Sequence, residues 1–161
     1  MKFAISNAQK NLRITSADLR RFAIWLSKNI PEFHAAEWDV VSIVVTDDAG
    51  IAEINEQFLK HRGPTDVITF MLPPPPGDEK LRGEIYVNAE RAALEAKRRR
   101  IEPARELAFY IAHGFDHLAG FDDRTPAMRA RMHLRERACL RKFGKRDGRK
   151  RHEKAQGRGL F

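Results

Sequence analysis

Trp38-Asp39-Val40-Val41-Ser42-Ile43-Val44-Val45 is the stretch on which the fold turns. It is mostly apolar and dense in β-branched residues, which are stiff at χ1 and pack well on a pleated surface. A near-continuous apolar run of this length predicts a central strand buried on both faces, and Asp47-Asp48 ends it. Upstream, Phe3 to Asn7 reads as a first strand. Thr15 or Ser16 then offers an N-cap with Asp18 in the first turn, and Leu19, Phe22, Ala23 and Leu26 follow at helical spacing until Ile30-Pro31 stops the run.

Downstream of the central strand, helical spacing resumes at Ile51, Ile54 and Phe58 and breaks at Lys60-His61-Arg62-Gly63-Pro64. Val67 to Met71 reads as a third strand. The prolines at 73–76 form a stiff surface connector, since they fit neither a helix interior nor an inner strand. Gly83 to Asn88 reads as a fourth strand, with Asn88 capping a helix from Ala89 to about Arg100. Pro103 suits the first turn of a helix reaching His117 and Leu118, and a last helix spans about Pro126 to Phe143. The order β α β α β β α α α predicts an α+β fold: a small mixed four-stranded sheet packed with about five helices.

A chain of 161 residues makes one domain with a real core. Its net charge of +8 is unevenly placed: residues 141–161 hold nine basic and two acidic residues, which accounts for +7 of it. The expectation is therefore a nearly neutral domain over 1–143 and a basic, disordered tail over 144–161, with nucleic acid the leading partner class. No apolar run approaches the ~20 residues of a membrane span, and the first residues resemble no secretory or transit segment, so a cytoplasmic protein without a membrane partner is expected. Cys139, the single cysteine, excludes a disulfide framework and an all-cysteine metal site. It lies in a helical pattern, where a small buried thiol without a chemical role is expected.

The chemistry concentrates in His113-Gly114-Phe115-Asp116-His117-Leu118-Ala119-Gly120-Phe121-Asp122-Asp123. Histidines four apart on a helix project from one face and can share a metal ion. Gly120 can adopt the left-handed conformation that ends the helix, returning Asp122 or Asp123 under the imidazoles as a third ligand. Two histidines and one carboxylate leave a coordination position open, which separates a catalytic site from a structural one. Asp116, three residues past His113, is placed to orient a ligand imidazole from outside the coordination sphere. The glutamate that follows the first histidine in zinc proteases is replaced by Gly114, which argues against peptide hydrolysis by a zincin-type metalloprotease.

This stretch resembles the His-Gly-x-x-His-x-x-Gly-Tyr-Asp-His pattern of the YbeY family of metal-dependent endoribonucleases. Ile54-Asn55 with Phe58, Pro64-Thr65-Asp66-Val67-Ile68-Thr69-Phe70 and Gly83-Glu84-Ile85 match the family's other motifs in order. The resemblance implies a single-strand-specific endoribonuclease acting in 16S rRNA 3′-end maturation, ribosome biogenesis and quality control. It also implies one zinc ion on His113, His117 and Asp123. The partners it implies are ribosomal RNA, the small ribosomal subunit, and a small-subunit ribosomal protein or assembly GTPase.

Two departures stand out. Asp123 replaces the family's third histidine, and an oxygen ligand admits other divalent ions such as manganese or iron. The family's phosphate-contacting arginine falls on Leu59; Lys60, His61 and Arg62 are the candidates to substitute for it, with Arg62 preferred because a guanidinium can hold phosphate by two bonds. Lys97, Arg98, Arg99 and Arg100 at a helix end, with Lys145, Arg146, Arg149, Lys150 and Arg151 in the tail, are the candidate RNA contacts. The arginine departure keeps a second reading open: a non-catalytic assembly factor that binds ribosomal RNA or a ribosomal protein.

Overall fold

A computed structural model of the chain describes residues 1–9 and 12–153, with side chains to Asp147 at the C-terminal end. Four strands, β1 (Lys2–Asn7), β2 (Trp38–Thr46), β3 (Val67–Leu72) and β4 (Leu81–Asn88), form one sheet in the order β1-β2-β4-β3. β1, β2 and β4 run parallel, and β3 pairs antiparallel with β4 at the edge. The helices are α1 (Ser16–Asn29), α2 (Pro31–His34), α3 (Asp48–Ile54), α4 (Ala89–Arg99), α5 (Pro103–Leu118) and α6 (Pro126–Glu153). The expected α+β architecture with a mixed four-stranded sheet is what forms.

Local chemistry explains most boundaries. Thr15 caps α1 through a reciprocal pair: its hydroxyl accepts from the Asp18 amide at 3.1 Å, and the Asp18 carboxylate accepts from the Thr15 amide at 3.2 Å. Asn88, fully buried, does several jobs at once: its Oδ1 accepts from Arg91 N to cap α4, and its Nδ2 donates to the Thr65 carbonyl. That side chain ties the end of β4 to the entry of β3.

Four expectations need correction. β2 is buried on one face only: Val41, Ile43 and Val45 are in the core, while Val40, Ser42, Val44 and Thr46 on the other face are half-exposed. An apolar run cannot by itself report which face a helix covers. After Pro31 the chain makes the short helix α2 instead of a plain stop, which buries Phe33 against Trp38 at 4.6 Å between ring centres. The turns after α3 widen into a π-helical segment over Asn55–Leu59, which ends on left-handed Lys60. Finally, α6 does not end at Phe143 but crosses Gly144 and runs to Glu153. The remainder of the expected tail, 154–161, lies outside the described residues, as do the side chains of Arg149, Lys150 and Arg151.

α5 positions the site by lying very close to the sheet. A Cβ on Gly114 would sit 2.5 Å from Ile85 Cγ2, and one on Gly83 would sit 2.7 Å from a Leu118 methyl. Glycine at these two places lets helix and strand approach within the contact distance of ordinary side chains. Phe115 anchors the same helix against Phe33 and Phe3.

Candidate metal centre

His113 and His117 emerge from the last turns of α5 on one face, with ring centres 4.5 Å apart and planes at 83°. The helix then closes on Gly120, whose φ of 89° is left-handed, while Phe121 N donates to the Asp116 carbonyl at 3.0 Å. This turn brings Asp123 back, as the glycine predicts. The Nε2 atoms of the two histidines are 3.0 Å apart, and Asp123 Oδ2 lies 3.7 Å from His113 Nε2. Asp122 points away and pairs with Arg124, so Asp123 is the acid the fold brings to the histidines.

The second nitrogens explain why Nε2 faces the cleft. His117 Nδ1 donates to the Phe121 carbonyl at 3.1 Å, and His113 Nδ1 donates to Glu136 Oε1 at 2.6 Å. Both partners are acceptors, which favours a proton on Nδ1 of each imidazole and leaves the two Nε2 atoms turned toward each other. Two lone pairs at that separation repel unless a cation lies between them, and all the ligand atoms lie within 4.8 Å of one another. The donor set therefore fits a divalent ion with nitrogen and oxygen ligands. His113, His133 and Glu136 also cluster within 4.8 Å, but there the His113 nitrogen is already committed to Glu136.

Burial disfavours the charged form of His113, but the hydrogen bond and charge of Glu136 outweigh it and raise its pKa. His117 moves the other way, lowered by burial and by its neighbour His113.

The histidines open on a cavity of about 420 Å³ between the end of α5 and the edge strand β3, lined also by Leu59, Thr65, Thr69 and Met71. Leu59, not Arg62, is on the wall; Arg62 is exposed on the connection between Leu59 and Thr65. Arg129 lies 3.7 Å from the Asp123 carboxylate. α6 is crowded with arginines, and nothing local marks the one that faces the site.

Asp116 does not orient a ligand imidazole. It is 3% exposed and faces α6, where Arg135 lies 3.6 Å away. The Nδ1 of His113 is engaged elsewhere, 2.6 Å from a carboxylate of α6. That carboxylate is Glu136, 23 residues away. Its signal was a glutamate on the buried stripe Met132, Glu136, Leu140 and Phe143 of α6.

The basic cluster at the end of α4 sits near the opposite end of α5. Arg99 pairs with buried Glu106 at 2.9 Å and Arg98 with Glu95 at 2.8 Å, while Lys97 and Arg100 are exposed. From Glu106 to His117 is about 16 Å along the helix axis. Lys145 and Arg146 are exposed on the far part of α6. Cys139 is half-buried rather than buried, and burial raises its thiol pKa, so it stays an unreactive thiol.

An α+β fold that suspends two histidines and a carboxylate over an open cleft defines a class of protein whose cleft residues are able to hold a metal ion. The family model described as Endoribonuclease YbeY matches residues 4–144. An endoribonuclease YbeY of Roseiflexus sp. (strain RS-1) is 37% identical over 112 residues, covering 65% of this chain and 70% of the relative. That of Syntrophus aciditrophicus is 31% identical over 145 residues, covering 88% and 84%. The solution structure of TM1509 from Thermotoga maritima shares the fold, with a TM-score of 0.55 and 24% identity over 86% of this chain and 88% of that one. The chain belongs to the YbeY endoribonuclease family.

Proposed function

We propose that the chain is a metal-dependent endoribonuclease that cleaves single-stranded RNA, acting in 16S rRNA 3′-end maturation and in ribosome biogenesis and quality control. The observation that carries it is the pair of imidazole Nε2 atoms 3.0 Å apart beside Asp123, open to a cleft. His113, His117 and Asp123 would hold one divalent ion, zinc first and manganese or iron as alternatives given the oxygen ligand. Such an ion supplies Lewis-acid polarisation of a phosphoryl oxygen and a lower pKa for water.

The chain's own residues do the rest. β3 and the connection before it line the cleft through Thr65, Thr69 and Met71. Arg62 lies between two cavity-lining residues, Leu59 and Thr65, and is the group we assign to a phosphate at the mouth. Lys97, Arg98, Arg99, Arg100, Lys145, Arg146, Arg149, Lys150 and Arg151 extend the RNA path beyond the cleft and serve affinity. The domain is 1–143, and the basic segment from 144 onward is an RNA-binding extension. The partners are ribosomal RNA, the small subunit, and a small-subunit ribosomal protein or assembly GTPase, in the cytoplasm. Among the described residues no helix is long and apolar enough to cross a membrane.

Leu59 on the cavity wall, where the family pattern has arginine, favours a second reading: an assembly factor that binds RNA around a structural metal without cleaving it. A zincin-type protease is disfavoured, because residue 114 faces Ile85 rather than the cleft and has no room for a catalytic glutamate. Purified chain should contain metal and nick a defined single-stranded RNA, with chelator abolishing the nicking. Metal content without nicking supports the assembly factor, and nicking that survives chelation overturns the metal mechanism.

A further inference from the structure

The two imidazoles are held by partners of different origin. His117 is oriented locally, by the carbonyl of Phe121 four residues on, whereas His113 is oriented from α6, 23 residues away. Glu136 is 1% exposed and sits on a stripe otherwise made of Met132, Leu140 and Phe143. Its Oε1 accepts from His113 Nδ1 at 2.6 Å, and its Oε2 is buried with no hydrogen-bond partner among the described residues. A carboxylate there costs more than a leucine of similar volume, because desolvation is compensated at only one oxygen. Packing alone does not explain it.

The neighbouring residue reaches the other half of the centre. The Arg135 guanidinium lies 3.8 Å from the centroid of the Phe121 ring, and it pairs with Glu32 at 3.1 Å on the far side. Phe121 is the residue whose carbonyl accepts the hydrogen bond from His117 Nδ1. Two consecutive residues of α6 thus brace both histidines, one directly and one through the turn.

We propose that Glu136 is the positioning residue of the metal centre. It locks His113 as the Nδ1–H tautomer with Nε2 aimed at the cleft, and Arg135 steadies the Phe121 carbonyl that does the same for His117. The inference rests on the metal-centre reading above. α6 is then a working part of the site rather than a cover for the core, and the basic extension that continues from it is joined mechanically to the ligands.

The test uses the full chain and three variants: Glu136→Gln, Glu136→Leu and Arg135→Met. Zinc affinity is read by competition with a chromophoric chelator, His113 tautomer by long-range nitrogen–proton NMR of the metal-free chain, and folding by thermal midpoint. Both Glu136 variants should bind zinc 10- to 100-fold more weakly, with His113 losing the pure Nδ1–H signature. Glu136→Leu should melt at or above the wild-type midpoint, which separates positioning from folding. Arg135→Met should weaken binding about two- to fivefold. Zinc affinity within twofold of wild type in both Glu136 variants, or an unchanged tautomer, overturns the proposal while leaving the metal centre standing. Wild-type chain that binds no zinc overturns both, and zinc binding without RNA cleavage overturns only the nuclease reading.

Discussion

Each end of α5 meets a buried glutamate, and the two glutamates do different work. Glu106 and Glu136 are both 1% exposed, yet Glu106 faces the Arg99 guanidinium at 2.9 Å and Glu136 faces an imidazole at 2.6 Å. Burial pushes the Glu106 carboxyl up, opposed in part by the charge of Arg99, and the pair is closed: arginine carries a permanent charge and has no acceptor to pass anything on. The imidazole has a second nitrogen, which looks into the cleft. The same buried carboxylate is therefore structural at one end of the helix and functional at the other, and its partner decides which.

The comparison breaks most sharply at His117. His117→Ala should abolish metal content and reduce RNA cleavage by at least ~1000-fold, with the metal-free chain still folded by circular dichroism. Retained cleavage by metal-free variant would end the division into a structural and a functional end. Gly114→Ala comes next and shows that the functional end carries stability as well. Its Cβ meets Ile85 Cγ2 at 2.5 Å, so about 1–3 kcal/mol should be lost in denaturant unfolding, and no loss would mean that helix and sheet separate freely.

Glu106→Gln should cost about 1 kcal/mol, since Arg99 is 49% exposed and can turn to water, and should leave zinc affinity unchanged. A fall in zinc affinity would make both ends functional. The smallest effect is expected at Asp116. Burial pushes its carboxyl up to about 6, Arg135 opposing, above the ~3.9 of an unfolded aspartate. Between about pH 4 and 6 the folded chain thus holds more proton than the unfolded one, and stability falls as pH rises. Asp116→Asn should flatten that slope in the metal-free chain; an unchanged slope would place the titration on another group.

Local signals carried much of the fold and the core of the site. Thr15 with Asp18, Asn88 before Ala89, and Gly120 after Leu118 mark boundaries because the hydrogen bonds they make are within a few residues. The helix period alone puts His113 and His117 on one face, and the glycine turn returns Asp123. Asp116 misled for a related reason: spacing gives proximity along a helix but not the partner, and its carboxylate is buried beside Arg135 of α6. Glu136 was legible only as an anomaly, a charge on an apolar stripe, because its meaning depends on a partner 23 residues away.

The sequence by itself determined where the four strands and the longer helices lie, though not α2, the π-helical segment or the end of α6, and that two imidazoles and an acid meet at one helix end. All of these follow from backbone periodicity and hydrogen bonds of short range. Only the tertiary structure decided which face of β2 is covered, that Leu59 rather than Arg62 walls the cleft, and that α6 supplies the carboxylate behind His113. Those facts depend on how closely α5 lies on the sheet and how α6 packs against α5, and close packing is a property of the assembled chain that no local pattern encodes.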